Sequence, residues 1–337
     1  MAKLPHRSSE FESFMAERRA IEAAGGPTVT GRLKRSEPEI QNLKPLISNP
    51  AVGVAVAFRP ERVKDLVRFI KAREAARKAK EAGKPYKGDE IIQTYRFCNM
   101  HREDDRVTRW IAANWRDANK EDPHLWFAMC VARMALNSID SMADLGYPVP
   151  WQPKQFLAMV KRRIEKKLKV YGPAYMIATP NWTGPKHLFL IERLLTPLWE
   201  QRNELAPRKD DTLASFHARL NAVLNVGSFT AAQVVADMKY VPPLLSASDW
   251  ATWAAPGPGS MRGLNRVCLR HIDTAWKAAD WLATLQRLQK AANSLLGSAG
   301  GYHAQDLQNC LCEFDKYERA RLGEGKPKQL YVPHKGD

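Results

Sequence analysis

Apolar residues recur every three or four positions through most of this chain, the spacing that puts them on one side of an α-helix. Val63, Leu66, Val67 and Ile70 mark such a side between Pro60 and Ala82, with Pro60 near the start and Gly83 at the end as punctuation. The later half of that helix, KAREAARKAKEAGK, is polar on nearly every face and is expected to project into solvent. HLWFAMCVARMALNSIDSM, opened by Asp122-Pro123, is apolar on most sides and belongs in a core. QFLAMVKRRIEKKLKV turns Phe156, Met159, Val160, Ile164 and Leu168 inward. KHLFLIERLLTPLWEQRNEL, TLASFHARLNAVL and residues 276–296 repeat the pattern, and HAQDLQNCLCEFDKYERAR buries Leu307, Leu311, Phe314 and Tyr317. Only VYGPAYMIATPNWTG has strand-like content and reads as a short hairpin or an irregular insertion. The expectation is an all-α fold of about eight to twelve helices, with neither a βαβ rhythm nor a repeat. Residues 1–50 read as an N-terminal helix (Ser9 to Ala24) and a basic linker, 51–330 as a single catalytic helical domain, and 331–337 as a loosely held tail.

Charge changes this picture. Lys and Arg outnumber Asp and Glu by 52 to 36, a formal net charge of +16, which favours a polyanionic partner and nucleic acid first. The five cysteines form no CxxC, and Cys310 and Cys312 lack a His or Cys pair at zinc spacing, so no structural metal is expected. No window is long and apolar enough to span a membrane, and the first twenty residues lack a signal-peptide core, so a reducing cytoplasm is the expected setting. GxxxxGK[ST], GxSxG and HExxH do not occur in the sequence.

Candidate chemistry concentrates in a few stretches. In QTYRFCNMHREDDRVTRW, Asn99, Arg102, Arg106 and Arg109 are spaced +3, +4, +3, and a continuous helix would project them from one face with Asp105 beside them. Such a face suits a phosphate and a base edge, or else is a solvated surface laced by local ion pairs. Lys161, Arg162 and Lys166 lie in the densest basic run, either a nonspecific phosphate contact or a solubilising face. LNVGSFTAAQVVADMKY places a turn at Gly227 before a helix starting near Thr230, like the second half of a helix–hairpin–helix whose Gly227, Ser228 and Thr230 would meet a DNA phosphate. Gln233 and Asp237 follow, four apart on that helix. APGPGSMRG is a loop whose Gly257 and Gly259 can present N–H groups to an anion beside Arg262, or simply a loop. Glu313, Lys316 and Arg319 form a polar row on the last helix.

Five stretches in order, RFCNMHREDDRVTRW, YGPAYMI, VGSFTAAQVVADMKY, PGPGSMRG and LQNCLCEFDKYER, resemble the phage alpha-glutamyl/putrescinyl thymine pyrophosphorylase family. Its members are also described as amino acid:DNA transferases. They share a helical domain with 5-hydroxymethyluracil DNA kinases and are distantly similar to helix–hairpin–helix DNA glycosylases. The resemblance covers residues 55–330 and implies a reaction on double-stranded DNA, in the cytoplasm of a phage-infected bacterium. An amine or amino acid of the glycine, glutamate or putrescine type displaces phosphate or pyrophosphate from an activated 5-hydroxymethyluracil. No cofactor is expected beyond that amine co-substrate, and other phage base-modification enzymes are possible partners. Asn99, Arg102, Asp105 and Arg106 match N-x-x-R-x-x-D-R; Gln233 and Asp237 match Q-x-x-x-D; Glu313, Lys316 and Tyr317 match E-F-x-K-Y. Glu103 and Asp104 make this acidic run longer than the family's pattern. The resemblance then implies that Arg102 and Arg106 neutralise the leaving phosphate, and that Asn99 or Gln233 reads the uracil edge. Asp105, Asp237 or Glu313 takes the amine's proton, and Lys316 holds the phosphate or the amino-acid carboxylate. Tyr175, Arg262 and Tyr317 complete the substrate side. Two other readings fit the same hairpin and basic helix: a glycosylase-like base-excision enzyme, and a non-catalytic DNA-binding module.

Overall fold

The computed structural model describes residues 53–174 and 177–331. In chain order its helices are α1 (Pro60–Glu81), α2 (Glu90–Thr94), α3 (Arg106–Ile111, running on through a π-helical turn at Ala112–Arg116) and α4 (Leu125–Cys130, running on through Val131–Leu136). Next come α5 (Ile139–Leu145), α6 (Pro153–Glu165), α7 (Lys186–Phe189, continued by Leu190–Leu195 and Thr196–Glu200), α8 (Arg202–Leu205) and α9 (Leu213–Asn221). The last are α10 (Ser228–Met238), α11 (Pro258–Cys268), α12 (Ala278–Leu296) and α13 (Ala304–Arg321). The all-α expectation holds: among the described residues the β-structure amounts to one isolated bridge, Tyr95 to Leu330. The strand-like stretch after Val170 is irregular in its described part. The proposed N-terminal helix and linker, Tyr175 and residues 332–337 lie outside the described residues.

The chain forms two compact units, each drawn from separate stretches. The first contains Ala113–Pro207 and Arg219–Val234. Its centre is α4, buried along its whole length from Leu125 to Leu136 as its all-round apolar sequence requires. Phe127 sets its ring against Trp151 at 5.5 Å and Trp199 at 5.1 Å, and the Trp151 indole donates to Thr196 Oγ1 at 3.1 Å, so the one polar atom of that ring is satisfied. α6 departs from expectation at its end. The helix stops at Glu165, Lys167 takes φ 55°, and Ile164 and Leu168 are exposed rather than inward. The left-handed Lys167 ends the helix and rotates Leu168, which follows it, off the apolar side; Ile164, still within the helix, lies outside the buried stripe.

The second unit contains residues 53–112, Arg208–Ala218 and residues 235–331. Its core joins Leu66, Phe69 and Ile70 of α1 to Leu264 and Val267 of α11, Trp281, Leu285 and Leu288 of α12, and Leu307, Leu311 and Phe314 of α13. α11 and α13 form its closest helix pair. A Cβ at Gly263 would lie 2.1 Å from the Leu311 carbonyl oxygen, and one at Gly259 would lie 2.4 Å from Cys312 Sγ. APGPGSMRG is therefore not a flexible loop. Gly257 is the N-cap of α11, its N–H already taken by Ser260 Oγ at 3.0 Å, and Gly259 sits against the neighbouring helix. The far half of α1 also departs from expectation, with Ala76 buried and Arg73 and Arg77 reaching onto residues 97–104. The start of the tail is held too: Arg96 N donates to Gln329 O at 2.9 Å and Tyr331 N to Thr94 O at 2.9 Å.

Gly263→Ala is expected to cost at least about 2 kcal/mol, because its methyl group meets backbone and only separation of α11 from α13 relieves it. Urea unfolding measures this, and a midpoint equal to wild type would refute the close approach.

Candidate functional site

Helix α13 carries four buried carboxylates, and the site is built from what they hold. Asp306, Glu313, Asp315 and Glu318 are 4%, 5%, 0% and 1% exposed. A buried charge is tolerated only when paired and hydrogen-bonded. Glu318 meets Arg62 at 2.5 Å and Arg321 at 2.7 Å; Asp315 meets Arg262 and Arg266, both at 2.9 Å. Glu313 meets Lys316 at 2.6 Å and accepts from Cys98 N at 2.8 Å. Asp306 accepts from Arg102 N at 3.0 Å with Oδ1, while its Oδ2 faces His101 Nδ1 at 3.5 Å and His303 Nδ1 at 3.7 Å.

These contacts explain why Gln93–Trp110 is not one helix. Residues 95–101 run irregularly along α13, and Asn309 Nδ2 donates to the Asn99 carbonyl at 2.8 Å. A short 3-10 turn, Arg102–Asp104, follows. Asp105 then caps α3, its Oδ1 accepting from Val107 N at 2.9 Å and Thr108 N at 3.0 Å. Asn99, Arg102, Arg106 and Arg109 therefore do not share a helical face. Asn99 accepts from Arg73 at 2.6 Å and donates to the Asp104 carbonyl at 2.7 Å; Arg106 is exposed; Arg109 pairs with Glu81 and Asp104, both at 3.1 Å.

Arg102 turns inward instead, its guanidinium 3.1 Å from Oδ1 of the fully buried Asp237. Two residues past that carboxylate, Lys239 is buried. Its Nζ donates to the Trp250 carbonyl at 2.8 Å and lies 4.0 Å from the Trp250 ring centroid. Desolvation pulls the Lys239 ammonium down to about 8. Burial also disfavours the charge of Asp306, but the hydrogen bonds from His101 and the Arg102 N–H outweigh it and hold Asp306 below its ordinary value. His101, bonded to Asp306, is raised. His303, desolvated and near Lys239, is lowered.

The structure thus brings Arg102 and Asp237 together, and separately Glu313 and Lys316. The other expected residues lie elsewhere. Arg262 pairs with Asp315, apart from Arg102 and Asp237, and Tyr317 donates to Asp89 at 2.6 Å in a pocket of about 350 Å³ lined also by Arg62, Arg68, Tyr86 and Arg321. Gln233 is buried one turn before Asp237 on α10. In the first unit Gly227 is exposed, and its carbonyl accepts from Thr230 Oγ1 at 2.8 Å and Ala231 N at 2.9 Å, so Gly227 stands at the start of α10, which begins at Ser228, two residues before the expected Thr230. On α6 and just past it, Arg162 and Lys166 are exposed and Lys161 is half-buried.

Residues 60–327 match the family described as 5-hmdU DNA kinase, helical domain. The chain belongs to that family. No curated protein and no solved structure matches it. Membership accounts for the helical domain that the resemblance implied, and the matched span includes every candidate residue from Asn99 to Tyr317. It associates this 5-hmdU DNA kinase helical domain with DNA base modification and with enzymes that act on modified DNA. Among the described residues no helix is long and apolar enough to cross a membrane.

Sequence reasoning missed Asp306, His101, His303 and Lys239 as parts of one cluster. The only local signal was H-x-x-D at His303 and Asp306, a common helix-start pattern.

Lys239 yields a pH test. Between about 8 and its ordinary value of 10.5, the unfolded chain keeps a proton that the folded chain has lost. Stability must therefore rise with pH across that window. Relative to Lys239→Met, wild type is expected to gain stability from pH 8 to pH 10.5 in urea unfolding; parallel curves would exclude the lowered value.

Proposed function

We propose that the protein is a DNA base-modification transferase. It displaces phosphate or pyrophosphate from a 5-(phosphoryloxymethyl)uracil in double-stranded DNA, using an amine or amino acid as nucleophile. The C–N bond forms as the C–O bond breaks, phosphate leaves with the bonding pair, and the nitrogen's proton passes to a basic group of the protein. The observation that carries this reading is the Arg102 arrangement. Its guanidinium is fixed by a buried carboxylate and its backbone by a second. An arginine held this way is already in place when charge develops on a leaving phosphate, so no reorganisation is spent at that moment.

Family and sequence support the same class. The matched family is named for a kinase of 5-hmdU DNA, which supports a base that carries a hydroxymethyl group as the substrate. The target carbon must be approached with water excluded, which base flipping achieves at a cost of a few kcal/mol. The exposed hairpin at Gly227 and the basic residues Arg162 and Lys166 suit phosphate contacts that position such DNA.

The test is direct. Incubate the protein with DNA bearing 5-phosphomethyluracil and a pool of glycine, glutamate and putrescine, then digest it and weigh the nucleosides. An aminated thymidine is expected; an abasic site would assign the protein to base excision, and unchanged DNA with every amine would overturn the enzyme reading. Arg102→Ala should lower kcat by about 10²–10³-fold. Asp105→Asn keeps the cap and removes only the charge, so full activity in that variant leaves Asp105 with its structural duty alone. DNA affinity should fall steeply with salt, and Arg162→Glu with Lys166→Glu should flatten that dependence on any sequence; an unchanged slope would remove this helix from the interface.

A further inference from the structure

We infer that His101 is the group that takes the proton from the incoming amine, with Asp306 as its positioning residue. This rests on the transferase reading and assigns a residue that reading leaves open.

The three carboxylates that spacing and resemblance suggest as bases are all engaged. Asp105 Oδ1 caps α3 with two backbone N–H bonds. Asp237 has no exposed surface and is tied to Arg102. Glu313 is tied to Lys316 and to the Cys98 N–H. Protonating Asp237 or Glu313 weakens an ion pair that a buried neighbour needs, and Asp105 is turned onto the start of α3.

His101 differs on each count. Its side chain is 37% exposed, against 27% for His303 and 6% for Asp306, which makes it the most open member of the cluster. Its ring stacks on the buried Tyr302 at 4.2 Å with 11° between planes, which fixes the plane of the imidazole. Its Nδ1 faces Asp306 Oδ2, which fixes the edge. A proton on Nδ1 leaves Nε2, directed away from that carboxylate, as the lone-pair nitrogen. This is how a carboxylate sets the tautomer of a working imidazole.

The backbone supplies the link to the leaving group. His101 precedes Arg102, and Asp306 holds both, one through the ring and the other through its N–H. A single buried carboxylate therefore fixes the ring of the proton acceptor and the backbone of the next residue, whose guanidinium is proposed to receive the phosphate. The charged groups facing His101 are Asp306, Glu74 and Asp104, which favour its protonated form, and His303, which opposes it. His303 shares Asp306 Oδ2 but packs edge-on to Trp250 at 4.2 Å beside Lys239 and stays the neutral partner. In the proposed step, Nε2 accepts the proton as nitrogen bonds to the 5-methylene carbon and phosphate departs. The imidazolium formed is stabilised by Asp306.

The test compares wild type, His101→Gln and Asp306→Asn on 5-phosphomethyluracil DNA with saturating amine. Loss of kcat by about 10²–10⁴-fold in His101→Gln, with unchanged KM for DNA, is expected. In Asp306→Asn the lower limb of the kcat–pH profile should move to lower pH, because the imidazole loses its carboxylate. Full kcat in His101→Gln, or an unmoved limb in Asp306→Asn, would overturn the assignment. If either variant fails to fold, imidazole NMR titration of wild type decides. His101 is expected to titrate above 6.5 with its proton on Nδ1, and titration at or below 6.5 would overturn it. A wild type that leaves the DNA unaltered with every amine defeats the transferase reading itself, and the base assignment falls with it.

Discussion

Four carboxylates buried on one helix constrain the second unit more than any other feature. A carboxylate removed from water costs several kcal/mol unless cations and N–H groups replace its hydration. Asp306, Glu313, Asp315 and Glu318 therefore dictate what lies beside α13: arginines of α1 and α11 at one end, and the backbone of residues 98–102 at the other. The glycines of α11 serve the same end. Gly259 and Gly263 let α11 approach closely enough for Arg262 and Arg266 to reach Asp315.

That constraint becomes chemistry at Asp306. Its two oxygens face different neighbours, one the Arg102 amide and the other a pair of imidazoles. Asp237 then fixes the arginine's head, and Trp250 keeps Lys239 in a place where its charge is disfavoured. Two imidazoles, a guanidinium and an ammonium thus stand in one unit on supports that are mostly buried. Low local dielectric strengthens each of these pairings and makes each costly to break.

Much of this was legible in the sequence. The helices of the core follow from periodic apolar positions, and α1 begins at Pro60 and stops one residue short of Ala82. Helix α10 begins at Ser228, close to the turn at Gly227. The stretch from Gln93 to Trp110 was misread for a physical reason. Its i, i+3 spacing fits a helix, but tertiary hydrogen bonds to α13 and the Asp105 cap outweigh that local preference. The pairing of Arg102 with Asp237 spans too much sequence for spacing to reveal, and only family resemblance placed the two in one site. Asp306 stayed hidden because an acid in the first turn of a helix looks like an ordinary capping charge.

The most direct measurement of the central claim is hydrogen exchange in Asp306→Ala. Asp306 is taken to hold residues 99–104 in place, so exchange there, at the Arg102 amide above all, should rise well above wild type. The amides of α1 and α12, which pack through Leu66, Ile70, Trp281 and Leu285, should stay protected. Wild-type protection at Arg102 in this variant would contradict the account, because another contact would then be holding the site together.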